Sequence, residues 1–448
     1  MNTSPPGPRG YPILGMLPYL RKDPLRVYLD AADRYGDFVH MKVGAYHGYL
    51  ACRPDDIKHV LQDNNRNYHK SPLYERLKPG LGTGLLTSED DFWLRQRRLA
   101  QPAFHRQRLA ALVEAMTETT QAHVDRWQGF TARGDRIEVV NEMMRLTQDI
   151  IVRTMFSTDL GADAEVVNDA WPIVNHHIGQ NFWSIGLERW LPTASNRRAR
   201  RALADLDAVV YRIIHARRRA QPSSNGDLLS MLLSARDEET NATMNDKQVR
   251  DEVMTMLLAG HETTSLALSW TWYLLSMHPE IRTRLAREVH DVLAGRPPSF
   301  DDLERLSFTR MVFDETVRLY PPAWGFSRQA LGEDHLSGYR IEKGHLVFVI
   351  PFVIHRRPSL WPDPERFDPD RFSPERSAGR HRFAYVPFGA GPRQCIGNQF
   401  AVMEATIILA MISQRYRLDL VKGHPVEPHA LITLRPRYGV KMTVQPAS

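Results

Sequence analysis

The sequence predicts a mainly α, single-domain protein with small β segments near its two ends. Three observations carry that prediction. Apolar residues recur at helical spacing over 93–128, 137–157, 199–219 and 245–278. Strand-like runs are confined to 38–53, 336–354 and 431–444. No repeat, low-complexity block or composition break divides the 448 residues, so one domain spans 1–448, with a proline-rich segment over 1–20 and no fused reductase.

The elements follow in order. MNTSPPGPRGYPILGMLPYL is apolar only in short pieces broken by Pro12 and Pro18, which argues against a leader or membrane anchor. FVHMKVGAYHGYLACR, 38–53, predicts a hairpin around Gly44–Gly48. GLGTG, 80–84, lacks G-x-G-x-x-G spacing and reads as a mobile lid. PSSNGD, 222–227, reads as a surface linker. The helix from Asn245 as N-cap to His278, ahead of Pro279, would run about 33 residues, ~50 Å. Midway along it the polar run GHETTS interrupts apolar flanks. Hydroxyls in a buried helix commonly bond back to the i−4 carbonyl. Glycine, an acid and two threonines at one point also suggest a helix opened for function.

Composition excludes several classes. A 42% hydrophobic and 25% charged chain is ordinary for a globular protein, and no stretch approaches the ~20 apolar residues of a membrane span. Net charge is +6, with arginines clustered at 95–98, 197–201 and 217–219. Solvated helix faces account for much of this. No nucleic-acid module is present, so an acidic protein partner is the better specific reading. Two cysteines cannot build a disulfide framework, and a reducing cytoplasm fits.

One of those cysteines lies in FGAGPRQCIG, 388–397. Zinc or iron–sulfur sites need more thiolates or Cys/His clusters, and covalent haem attachment needs C-x-x-C-H. A buried inert thiol is the ordinary reading of a lone cysteine, and a nucleophile is not excluded by counting. The flanks argue for more. Gly389, Gly391 and Gly397 permit a tight loop with exposed N–H groups. Phe400, Met403, Ile407 and Met411 then form a helical stripe, which puts Cys395 at a helix N-terminus, where a thiol pKa is expected to fall. Such a thiolate would suit an axial ligand to haem iron.

Phe388, Gly391, Arg393, Cys395 and Gly397 together match F-x-x-G-x-R-x-C-x-G, and the chain resembles the cytochrome P450 family. ETVRLYPP, 315–322, resembles that family's E-x-x-R helix, with Glu315 and Arg318 one turn apart. WPDPERFDPDRF, 361–372, resembles the segment that supplies a third member of this structural clasp. By register that is Arg371, with Arg366 a competitor. DFWLRQRRLAQPAF, 91–104, resembles the helix whose Trp93 and Arg97 hold haem propionates. Arg328 matches the arginine for the other propionate. LLAGHETTS, 257–265, resembles A-G-x-(D/E)-T-T, which gives Ala259, Gly260, Glu262 and Thr263.

The resemblance implies the family's fold: one triangular multihelical domain with small sheets, enclosing haem b (iron protoporphyrin IX) ligated by Cys395. It implies a monooxygenase that inserts one oxygen atom from O2 into a C–H or C=C bond. Thr263 would support the reacting oxygen and Glu262 help relay protons. Electrons would come from NAD(P)H through a separate ferredoxin or flavodoxin with its reductase, docked against basic residues including Arg95, Arg98 and 376–382. The expected protein is a cytoplasmic monomer without nucleic-acid partners. The substrate would be a bulky hydrophobic molecule of terpenoid, steroid, fatty-acid or polyketide type. Five stretches would surround it: Leu73–Leu86, Trp171–Leu187, Met254–Thr263, Pro322–Phe326 and Ala430–Thr433. Phe182, Trp183, Leu257, Trp324, Phe326, Leu431 and Ile432 are the named candidates. An H2O2-using peroxygenase, a haem-thiolate lyase or isomerase, and a haem sensor are the alternatives.

Overall fold

The computed structural model describes residues 4–183, 191–219, 227–234, 236 and 243–447. Among them the ten longer helices are α1 (Pro24–Tyr35), α2 (Asp90–Ala100), α3 (Arg106–Arg126), α4 (Val139–Phe156), α5 (Asp163–Asn181), α6 (Ala194–Arg219), α7 (Asp246–Met277), α8 (Pro279–Leu293), α9 (Ser307–Leu319) and α10 (Asn398–Arg415). α7 is the axis of the larger core and packs on α4, α6, α9 and α10. It starts where the sequence places it: Asn245 Oδ1 accepts from Gln248 N at 2.9 Å and Gln248 Oε1 from Asn245 N at 2.9 Å, a reciprocal cap.

A second core lies under a five-stranded sheet in the order Phe38–Val43, Tyr46–Ala51, Leu346–Val349, Phe326–Ala330, Tyr68–Lys70. The chain's end contributes the strands Pro428–Ala430, Leu434–Pro436 and Lys441–Pro446. Among the described residues no helix is long and apolar enough to cross a membrane.

Several boundaries move. The expected 93–128 helix is broken into α2 and α3 by a 3₁₀ turn, Gln101–Phe104, because Pro102 has no N–H to continue the ladder. The hairpin turns at Gly44, φ +60°, whereas Gly48 lies within the second strand opposite Met41. Residues Pro351–Ile354 are helical, not strand, beginning at a proline suited to a first helical turn. The 80–84 segment is not loose: Thr83 N donates to Asp251 at 2.8 Å and Leu85 N to Glu252 at 3.1 Å. Residues 184–187 of the expected pocket and 222–226 of the expected linker lie outside the described residues.

Candidate functional site

The cysteine loop is shaped by its glycines. Gly391 has φ +68°, and a Cβ there would lie 1.8 Å from the Leu61 carbonyl oxygen, so no other residue fits. Cys395 N donates to the Phe388 carbonyl at 2.9 Å, which closes the loop. Arg97 Nη1 donates to the Gln394 carbonyl at 2.8 Å and ties α2 to it. Gly397 is the N-cap of α10, so Cys395 precedes the helix by two residues. Burial raises the Cys395 thiol pKa, against the opposing pull of the Gly397 N–H and Arg97. The expected net lowering is therefore corrected: the helix-end and cationic contributions exist, but desolvation exceeds them. The residue has open surface although protein surrounds it at longer range, which fits a group lining an interior cleft.

α7 presents a second wall. Along a helix whose centre is otherwise buried, Ala259 is exposed and Gly260 and Thr263 are half-buried. Ala259 and Thr263 are one turn apart and share a face. Nearby, Glu404 of α10 faces Thr264, so the two helices meet beside this opening. The helix is not opened, contrary to expectation: it is α-helical from end to end. Thr263 donates to the Ala259 carbonyl at 2.7 Å and Thr264 to the Gly260 carbonyl at 3.2 Å. Gly260 is required by packing, because a Cβ would approach Ile151 of α4 to 2.9 Å.

Glu262 points elsewhere than expected. Its buried carboxylate accepts from Trp171 Nε1 at 2.8 Å, Thr433 Oγ1 at 2.8 Å and Asn175, with Arg435 Nη2 at 3.4 Å. It locks α7 to α5 and the C-terminal strands and makes no hydrogen bond to Thr263. Trp171, Asn175, Thr433 and Arg435 were not singled out as acid-holding residues by sequence. Their donors come from segments far apart in the chain.

At the cleft's other end cations exceed anions. Arg328 is 6% exposed, hydrogen-bonds only the Ser327 carbonyl, at 3.1 Å, and has no carboxylate partner among the described residues. Arg393 pairs with Glu89, donates to the Tyr68 carbonyl at 2.6 Å and lies 5.3 Å from the Trp93 ring centroid. Its Nε is buried without a partner. Lys70, missed by sequence, donates to the Leu85 and Ser88 carbonyls at 3.1 and 2.6 Å. Burial lowers its pKa to about 7, and Arg328 and Arg393 add to that against Glu89 and Glu252. Buried charge without compensation is expensive. A cofactor with two carboxylates would supply the missing anions, and a thiol faces the same interior. The donor set therefore fits haem: Trp93, Arg97, Arg328, Arg393 and Lys70 for its carboxylates, Cys395 for its iron.

Glu315 and Arg318 form a pair with both side chains fully buried, at 2.6 and 2.7 Å. Arg371 Nε reaches Glu315 at 3.3 Å, whereas Arg366 contributes only its carbonyl, to Arg318 at 3.2 Å. Of the expected pocket residues, Phe182, Phe326 and Ile432 are half-buried. Phe182 packs edge-on against Trp183, centroids 5.2 Å apart. Leu257 is fully buried and Trp324 donates to the Leu431 carbonyl at 3.0 Å, which makes both core positions rather than open pocket wall. Leu431 itself is held against Gly179, where a Cβ would come within 2.9 Å of it.

Fold and donor set together fit the class of haem-thiolate oxygenases. The model of the cytochrome P450 family matches residues 5–442. Cyclooctatin synthase of Streptomyces melanosporofaciens is 40% identical, covering 95% of this chain and 92% of that protein. Cyclooctat-9-en-7-ol 5-monooxygenase of the same organism is 36% identical over 94% of this chain and 91% of its own. Pentalenene oxygenase of Streptomyces avermitilis is 35% identical over 95% and 94%. The crystal structure of the cytochrome P450DA heme domain superposes with TM-score 0.89 at 29% identity, covering 100% of this chain and 98% of that one. The chain belongs to the cytochrome P450 family and is a P450 monooxygenase.

Proposed function

We propose that the protein hydroxylates a terpenoid-type hydrocarbon or alcohol, using O2 and electrons delivered from NAD(P)H by a separate acidic ferredoxin or flavodoxin. The observation that carries the reading is the exposed Cys395 in its glycine-shaped loop, at the start of the helix α10 that packs on α7, together with buried Arg328 left without a carboxylate partner among the described residues. Terpenoid chemistry is supported by the relatives named for cyclooctatin and pentalenene, and by the apolar half-buried Phe182, Phe326 and Ile432.

Haem b, ligated by the Cys395 thiolate, supplies the activation of dioxygen when bound. The chain's own residues do the rest. Trp93, Arg97, Arg328 and Arg393, with Lys70, would hold the cofactor's carboxylates through charge-assisted bonds. Thr263 Oγ1, at the cleft face, holds a proton that can be turned from the Ala259 carbonyl toward the reacting oxygen. Glu262 is held away from Thr263 by Trp171, Asn175, Thr433 and Arg435, so its expected part in proton relay would need its carboxylate to turn toward the cleft. Delivery through it requires one of its donors to release. The Glu315–Arg318–Arg371 clasp is structural.

The electron donor would dock beside the cysteine loop. Outside the cysteine loop lies a surface cavity of about 340 Å³ lined by Arg380, His381, Arg382, Phe388, Gly389 and Gln394. Arg98 and Arg382 are exposed, and Arg382 lines this cavity. An acidic carrier suits these charges, and its association should slow with added salt. We place the enzyme in the cytoplasm as a monomer.

The experiment is product per NAD(P)H with a reductase pair, wild type beside Thr263→Ala, and product from H2O2 alone. We expect Thr263→Ala to keep consuming NAD(P)H while product falls and H2O2 rises. Undiminished coupling in the variant, or faster wild-type turnover with H2O2 than with any reductase pair, would overturn the reading.

A further inference from the structure

Outside the Glu315–Arg318–Arg371 clasp the chain gathers more positive charge than its own carboxylates meet. Glu315 serves both Arg318 and Arg371, at 2.6 and 3.3 Å, and Asp368 serves Arg376 at 2.9 Å. Arg380 joins them without an ion pair among the described residues. Its guanidinium carbon lies 4.3 Å from the Trp361 ring centroid and 5.1 Å from that of Phe372, and its Nη2 donates to the Arg371 carbonyl. Burial lowers its pKa; Glu315 opposes that, and Arg371 and Arg318 add to it. Stacking fixes the planar fork and leaves most of its donors unused. Neighbouring acids are engaged elsewhere: Asp370 with Arg284 at 2.8 Å, and Glu375 with its own N–H and Ser373.

These cations border a cavity of about 450 Å³, whose walls include Trp361, Arg371, Arg376, Arg380 and His381 and no acidic side chain. It is distinct from the cavity beside the cysteine loop, although Arg380 and His381 line both. Asp55 reaches His381 at 3.4 Å from outside it. Two of the wall residues hold buried donors that nothing accepts from. Trp361 is 1% exposed and its Nε1 has no hydrogen-bond partner. Arg371 is 4% exposed and its Nε, although 3.3 Å from Glu315, makes no hydrogen bond. A buried donor without an acceptor is costly, and an indole N–H can only donate. What the cavity lacks is therefore an acceptor that carries negative charge. The tetrahedral oxygens of a phosphate match a guanidinium fork and leave further oxygens for the indole and the second arginine. The volume exceeds a bare phosphate and leaves room for water or a small organic group.

We propose that the cavity between Trp361 and Arg380 is a binding site for a small dianionic oxyanion, inorganic phosphate or a phosphomonoester. The bound anion would tie the Arg376–His381 segment to Trp361 beside the clasp. The site stands whether or not an electron carrier docks at the neighbouring cavity, and it is independent of which substrate is oxidised.

The test is equilibrium dialysis of the full-length holoprotein with labelled inorganic phosphate at fixed ionic strength. We expect one phosphate bound per chain, saturably, with a melting temperature that rises as phosphate is added. Phenyl phosphate should displace it and acetate should not. Displacement by phenyl phosphate at concentrations below that of the phosphate assigns the site to a phosphomonoester; displacement only above it assigns free phosphate. Arg380→Met should weaken binding about tenfold or more. Ala378→Glu, which places a carboxylate at the cavity wall and leaves every arginine in place, should weaken it comparably. Arg9→Met, an exposed arginine near the other end of the chain, should change nothing. The ferrous–CO spectrum of each variant reports whether its fold is intact. No saturable binding by the wild type, equal displacement by acetate, or unchanged binding in whichever of Arg380→Met and Ala378→Glu keeps that spectrum would overturn the proposal.

Discussion

Arg318 and Arg328 are both buried, on elements that follow one another, yet their surroundings differ in kind. Arg318 is met by both oxygens of Glu315 and by the carbonyls of His355, Pro364 and Arg366, at 2.6 to 3.2 Å. Arg328 has one carbonyl, and its charged neighbours Lys70 and Arg393 share its sign. The polypeptide completes the first site and leaves the second short of negative charge. A cluster satisfied from within serves the fold; a cluster left short of anions is built for a ligand.

The largest effect separating the two should come from the clasp. Removing one partner of a buried ion pair costs about 3–5 kcal/mol because the other is left uncompensated. Arg318→Ala should therefore lose that much stability in urea unfolding and fail to accumulate as holoprotein. Arg328→Leu should behave oppositely in the apoprotein, leaving unfolding stability equal or higher. Its cost should appear as weaker haem retention, about 10- to 100-fold in transfer to apomyoglobin, from one lost charged hydrogen bond. Equal destabilisation of the apoprotein by both variants would erase the contrast.

A smaller effect concerns pH. Lys70 falls from 10.5 to about 7 in the folded apoprotein, so the unfolded chain holds more protons between those values and stability rises as pH goes from 7 to 10.5. Burial raises Glu252 from 4.5 to about 7, so the folded chain holds more protons there and stability falls as pH goes from 4.5 to 7. Together they predict a shallow minimum of apoprotein stability near pH 7. Lys70→Met should flatten the alkaline limb, and haem, by returning anions to the cluster, should flatten it in the wild type. Urea midpoints across pH 5 to 10 would show this.

What was legible in the sequence follows the same division. The cysteine loop, the E-x-x-R pair and the capped long helix are written in near-neighbour residues, whose spacing reports local geometry. Lys70 was missed because it sits on a three-residue strand, and the groups that give it meaning, Arg328 and Arg393, lie hundreds of positions away. Glu262 was identified but its direction was not, since its donors Trp171, Asn175, Thr433 and Arg435 gather only on folding. Gly260 suggested a functional break in α7, whereas the crowding of Ile151 explains it. Leu257 and Trp324 shared the apolar character of pocket wall, but composition does not distinguish a cleft from the packed core behind it.

We propose that Cys395, exposed in the loop shaped by Gly391, is the iron ligand. The direct measurement is the ferrous–CO difference spectrum of wild type, Cys395→His and Cys52→Ser. Cys52 is buried, its thiol pushed up to about 12, and serves as the control. We expect the red-shifted band of thiolate ligation in wild type and Cys52→Ser and its loss in Cys395→His, with haem still bound. The band surviving in Cys395→His, or vanishing in Cys52→Ser alone, would contradict it.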